Sequence, residues 1–333
     1  MAHIFISYRH DTVDFAYLLA ARMEDAGFSG VINPDPRAGE GWSPWIDRVI
    51  GEALAVIALI TPEAGLSPFV AYEWAYALGA GIAVIPIVLI ETELHPRLKA
   101  LDPLDFISPE NLPWQTLLER LWARADRLID AHLPVPPTAA PEVKDAAAAL
   151  GSHDGAERLA ALQTLAAMDS PAARAMIIAA AQHPVYRAVR LAAVGALANM
   201  KGDDALRGLL IAVRDSDTEV SRAAAQAVSG FGDAAVPGLV EIMQSGARAA
   251  IWALSLIATP ATVPGLIEAL KMSGWFAPRT AAATLGKIAD VRAVPGLVEA
   301  LDSEDESLHA LAVEALRKIG TPEALAALEK IGW

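Results

Sequence analysis

Residues 67–89 read Ser67-Pro-Phe-Val-Ala-Tyr-Glu73-Trp-Ala-Tyr-Ala-Leu-Gly79-Ala-Gly81-Ile-Ala-Val-Ile-Pro-Ile-Val-Leu89. Serine followed by proline is a strong helix start, because proline in the first turn gives up an N–H that has no helical partner there. The helix runs to about Leu78, and Gly79 and Gly81 release the chain. The apolar run at 82–90 does not alternate, which marks a strand covered on both faces. A helix feeding a fully buried strand is the signature of an α/β sheet.

The same grammar extends in both directions. Toward the N-terminus lie apolar strands at 4–7 and 54–60, a brief strand at 31–32, and a helix at 14–26 with Phe15, Leu18, Leu19, Arg22 and Met23 at helical spacing before Gly27. Residues 33–43 form a loop rich in Pro, Gly and Asp, and the helix after Pro44 gathers Trp45, Ile46, Val49 and Ile50 on one face. Toward the C-terminus lie a short strand at 105–107 and an amphipathic helix at 112–130. The alternation predicts a mainly parallel five-stranded sheet with helices on both faces. Ligands of such sheets bind beyond the carboxyl ends of the strands, so the loops after Ser7, Ile32 and Ile60 are expected to line any site.

The chain has 333 residues, no cysteine and a net charge of −14. Residues 1–132 hold 18 acidic against 9 basic side chains, and the remainder 22 against 17, so neither half offers a basic face for nucleic acid or an anionic membrane. Without cysteine there is no disulfide or thiolate metal site, and a reducing cytoplasm is expected. The opening Met1-Ala-His-Ile-Phe-Ile-Ser-Tyr-Arg9 lacks the apolar core of a signal peptide, and the longest apolar run, around 53–60, is too short to span a bilayer. The seven histidines lack metal-ligand spacing, so no metal is expected.

Residues 133–141, Leu133-Pro-Val-Pro-Pro-Thr-Ala-Ala-Pro141, read as an extended, semi-rigid linker between domains at 1–132 and 142–333. Beyond it Val236-Pro-Gly-Leu-Val-Glu-Ile-Met243 recurs as Val263-Pro-Gly-Leu-Ile-Glu-Ala-Leu270 and Val294-Pro-Gly-Leu-Val-Glu-Ala-Leu301. Alanine-rich helices between these copies open on Arg158, Arg190, Arg222, Arg248 and Arg279, with His309 in the same place, at steps of 32, 32, 26, 31 and 30 residues. About six helical pairs with a period near 30 predict a solenoid in which each pair covers its neighbour's apolar face. The segment resembles HEAT-like repeats of the phycobilisome-lyase type. The arginines are expected to bond to neighbouring turns and acidic loops.

Phe5-Ile-Ser-Tyr-Arg9 with Asp11, and the helix ending Glu24-Asp-Ala-Gly-Phe28, resemble the opening of a bacterial TIR domain. The loop 33–45, leading into Ile46-Asp-Arg-Val-Ile-Gly-Glu-Ala53, stands where that family has its BB loop and following helix. Ser67 stands six residues before Glu73, as a serine precedes the family's catalytic glutamate, and a proline-interrupted strand follows. The sequence departs from the family pattern in Ala38-Gly-Glu-Gly-Trp42, where Pro-Gly is common before the tryptophan, and in Phe69 and Val70, where Trp and Cys are frequent.

The resemblance implies a flavodoxin-like fold and an NAD nucleosidase or ADP-ribosyl cyclase that consumes NAD as substrate and needs no cofactor. Glu73 is its implied catalytic residue. Arg9, Trp42, Ser43, Ser67, Phe69 and Tyr72 are candidates for substrate contacts, whereas Trp45 is expected to pack beneath its own helix. Phe69 and Tyr76 fall on roughly the same side of the helix as Glu73 and would partly desolvate it. The resemblance further implies activation by TIR self-association into an oligomer or filament, an unidentified partner or trigger acting through the repeats, and a role in antiphage defence. The competing readings are a non-catalytic adaptor with two protein-binding surfaces, and a glycosidase acting on NADP or a nucleoside.

Overall fold

The computed structural model describes residues 2–32, 44–133, 135, 137–168 and 170–332. The chain divides into two compact units, Met1–Val189 and Arg190–Trp333.

The first unit is built on strands β1 (Ile4–Ser7), β2 (Gly30–Ile32), β3 (Ala55–Ile60), β4 (Ala83–Val88) and β5 (Leu104–Asp105), with helices α1 (Val13–Asp25), α2 (Pro44–Gly51), α3 (Pro62–Gly65), α4 (Pro68–Gly79), α5 (Pro96–Lys99) and α6 (Trp114–His132). The sheet order is β2-β1-β3-β4-β5 and every pairing is parallel. All six residues of β3 are buried, as an apolar run without alternation requires. Side chains alternate along β1, so Phe5 and Ser7 share one face. On that face Phe5, Val56, Ala58, Ile60 and Val84 form a core with Ile46 and Ile50 of α2 and Val70, Trp74 and Ala77 of α4, and Trp45 packs against it. Helix α1 turns Ala16, Leu19 and Met23 inward, and α6 buries Leu117, Leu121, Ala125 and Ile129 at four-residue spacing.

Three helices follow in this unit: α7 (Pro141–Ala149), α8 (Gly155–Ala167) and α9 (Pro171–Ala180). They pack on the sheet-bearing part and are not held off by the Pro-rich stretch. The Trp122 and His153 rings stack at 4.6 Å, and His153 Nε2 lies 2.9 Å from an Asp126 carboxylate oxygen. The backbone N–H of Ala2 donates to the Pro184 carbonyl at 3.0 Å. The Arg158 guanidinium lies 3.7 Å from the Tyr186 ring centroid, and Tyr186 in turn lies 5.9 Å from Phe28. Aromatic area that would otherwise face water gives this part of the chain a reason to fold back.

The second unit continues from α10 (Arg187–Ala198) through α11 (Asp203–Ala212), α12 (Thr218–Ser229), α13 (Val236–Gln244), α14 (Arg248–Ile257), α15 (Val263–Leu270), α16 (Phe276–Ile288), α17 (Val294–Ala300), α18 (Glu306–Ile319) and α19 (Pro322–Lys330). Successive pairs stack in two layers, α11, α13, α15, α17 and α19 in one and α12, α14, α16 and α18 in the other. The glycine of each Val-Pro-Gly-Leu copy receives a side chain from the preceding repeat. A Cβ at Gly238, Gly265 or Gly296 would lie 2.6, 2.6 or 3.2 Å from side-chain carbons of Leu210, Val240 or Ile267 respectively. No helix among the described residues is long and apolar enough to cross a membrane.

Candidate active site

The order β2-β1-β3-β4-β5 places the topological switch between β1 and β3, where chain connections leave in opposite directions and a crevice opens at the carboxyl ends. In the paired register Ser7, the last residue of β1, sits beside Ala58, and β3 runs on to Ile60. Helix α4 lies over the face that Ser7 shares with Phe5. From it Glu73 reaches the end of β1, where the Ser7 hydroxyl donates to Oε2 of Glu73 at 2.5 Å. Ser7 is fully buried and Glu73 only 4% exposed. A carboxylate carried this far from water is tolerated when a hydrogen bond meets it, and its field is weakly screened.

The other sequence-expected residues divide into three groups. Ser67 is the N-cap of α4, its hydroxyl accepting from the Val70 N–H at 3.4 Å, so it starts the helix that carries Glu73. Tyr72 points to α2, where its hydroxyl donates to Oδ1 of Asp47 at 2.6 Å and its ring stacks on Tyr76 at 5.8 Å. That hydrogen bond, with lesser contributions from desolvation and the Asp47 charge, pushes the Tyr72 hydroxyl up to about 12. Arg9 lies just past β1 and is exposed, with Nε 3.4 Å from Oδ1 of Asp11. Phe69, one turn before Glu73, is 47% exposed. Trp42 and Ser43 lie outside the described residues.

A TIR domain model matches residues 4–121, and a HEAT-repeat model matches 143–229, 187–248, 236–312 and 275–332. The chain joins a TIR domain to HEAT repeats. No curated protein matches it. Similar solved structures include an engineered protein, 22% identical over 54% of this chain and 97% of its own, with a TM-score of 0.31. They also include the phycocyanin lyase complex of Nostoc sp., 18% identical over 59% of this chain and 96% of its own, with a TM-score of 0.27.

Within the TIR domain the residue that sequence reading passed over is Ser7, seen there only as the polar end of a strand. Its signal was parity: Phe5 is core, so Ser7 two residues on faces the same helix layer. Asp47, which fixes Tyr72, carried no comparable signal.

Proposed function

We propose that the TIR domain is an NAD glycohydrolase in which Glu73 faces the ribose of the bond being broken. Cleavage sends the electron pair of the C1′–N bond to the pyridinium, which leaves as neutral nicotinamide, while positive charge develops on the sugar. Water then adds to C1′ and releases one proton, giving ADP-ribose; attack by an atom of the same molecule gives a cyclic isomer instead. Nicotinamide is already a good leaving group, so the enzyme's task is to stabilise the oxocarbenium-like sugar. A fixed, desolvated carboxylate does this without reorganising.

The observation that carries the proposal is the Ser7–Glu73 hydrogen bond at the β1/β3 switch point, with both side chains buried. Ser7 is the positioning residue, and Ser67 acts by starting α4. The HEAT repeats bind the partner that brings TIR domains together, and self-association switches the enzyme on.

The test is nicotinamide release from NAD by the full chain, free and clustered on beads, beside Glu73→Gln, which keeps the side chain's shape and its bond to Ser7. The expected result is turnover that rises on clustering and is lost in the variant. Undiminished turnover in Glu73→Gln removes the assignment to that residue. A wild-type chain inert when clustered makes the domain a protein-binding adaptor.

A further inference from the structure

The arginines that recur through the repeats sit in unequal surroundings. Arg190 Nε donates to Oδ2 of the buried Asp215 at 2.7 Å, and Arg279 holds Asp305 through Nε and Nη2, each at 2.8 Å. In both cases the carboxylate follows the arginine by 25 or 26 residues, just before the next second-layer helix. The same count from Arg222 reaches Ala247 and Arg248, and from Arg248 it reaches Ser273 and Gly274. These two successive joints lack the acid, as does the one that begins at Arg158, where the count reaches His183 and Pro184 and the guanidinium donates to the Ser152 carbonyl at 2.6 Å. Among the described residues neither Arg222 nor Arg248 forms an ion pair. Each lies over an aromatic ring, Arg222 5.3 Å from the Trp252 centroid and Arg248 6.0 Å from that of Phe276, as the acid-paired Arg279 also lies 5.6 Å from that of Trp275.

The helix starts change at the same two joints. Helices α12 and α18 begin at Asp217 and Asp305, whose carboxylates accept from the first-turn N–H groups. Helices α14 and α16 begin at Ala247 and Trp275, which supply no side-chain cap. The carboxylate that meets Arg190 and Arg279, and the one that caps α12 and α18, are both missing at these two joints. Both joints open onto one cleft of about 620 Å³, lined by Arg222, Arg248, Trp252, Trp275 and Phe276 and backed by Ala247. Trp275 is 58% exposed there.

We propose that this cleft binds a nucleotide, with phosphate held by Arg222, Arg248 and the start of α14, and the base stacked on Trp252 or Trp275. Phosphate supplies the charge that the absent carboxylates would have supplied. A planar base uses indole faces of the kind that stack nucleobases. The cleft volume suits a small ligand rather than a polymer (sites of about 300–1,000 Å³ are usual). A nucleic-acid strand would add a phosphate per nucleotide against a chain of net charge −14, whereas a compact ligand meets Arg222 and Arg248, the one acid of the lining, Asp215, being paired with Arg190.

Calorimetric titration of the full chain with ADP, with adenosine and inorganic pyrophosphate as separate half-ligands, tests this. ADP is expected to bind at least about tenfold more tightly than either half. The double change Arg222→Gln with Arg248→Gln is expected to weaken ADP by about tenfold or more, and Trp275→Ala by about threefold. All three side chains are largely exposed, and an unchanged far-ultraviolet spectrum confirms folding. Pyrophosphate binding as tightly as ADP, ADP binding unaltered by the double change, or preferred binding of an oligonucleotide or acidic peptide each overturns the proposal.

Discussion

Replacing Ser7 with alanine measures what the hydroxyl does for Glu73. The substitution removes one oxygen from a fully buried site and leaves Cβ in place, so the lost hydrogen bond dominates the effect. A bond to a charged acceptor is worth about 1.5–3 kcal/mol, and a carboxylate 4% exposed has little water with which to replace it. At about 2–4 °C per kcal/mol for a unit of this size, the melting temperature of the unit carrying the sheet falls by about 3–12 °C. Turnover should fall by about tenfold, mostly in kcat with KM little changed, because the carboxylate loses orientation rather than binding surface. Scanning calorimetry on Ser7→Ala, Glu73→Ala and the double variant forms a cycle that isolates the pair, and nicotinamide release on Ser7→Ala reads the loss of turnover. A coupling energy below about 0.5 kcal/mol refutes the reasoning, since the two side chains would then not be acting on each other.

Three further outcomes follow from the packing. Asp215→Ala strands the buried Arg190 guanidinium and removes the acceptor of the Asp217 N–H at 2.8 Å; a loss of about 3–5 kcal/mol is expected in urea unfolding, with Arg190→Met beside Asp215→Leu recovering most of it. Gly27 has a φ of +89°, and a Cβ there would lie 2.6 Å from Nη2 of Arg158 and 3.3 Å from Cδ1 of Tyr186, so Gly27→Ala should cost about 2 kcal/mol in thermal unfolding. The Tyr72 hydroxyl is raised from 10.0 to about 12 in the folded chain, so its contribution to stability is complete below pH 10 and disappears as pH climbs through 12. Melting temperatures across that window should decline less steeply in Tyr72→Phe than in the parent.

The sheet was legible because unalternating apolar runs at 54–60 and 82–90 have few other uses in a globular chain, and the repeats because Val-Pro-Gly-Leu recurs verbatim. The fifth strand, expected at 105–107, ends at Asp105, whose carboxylate turns back to accept the Ile107 N–H at 2.9 Å and breaks the ladder. The short helices α3 and α5 escaped because four residues show no periodicity. Only their caps mark them: the Thr61 hydroxyl accepting from Ala64 N–H at 3.0 Å, and His95 Nδ1 from Arg97 N–H at 3.2 Å. At the candidate site Glu73 was legible through its helix, whereas its partner stands 66 residues away in the chain and only folding brings the two together. Of the turns and acidic loops expected to meet the repeat arginines, an acid is present at Arg190 and Arg279 and the Ser152 carbonyl at Arg158, whereas Arg222 and Arg248 lie over aromatic rings.

The glycine sockets of the Val-Pro-Gly-Leu copies have a consequence for how such an array can grow. Leu210, Val240 and Ile267 each plug the glycine of the following repeat, so the modules opening on Val236 and Val263 each carry a peg on one side and a matching hole on the other. Duplicating or excising one of these modules leaves peg facing hole at the new junction, while putting alanine into a hole forces its peg to shift, most at Gly265 where the peg is the stiff Val240. At Gly265, gain or loss of a complete module is therefore structurally milder than adding a single methyl group.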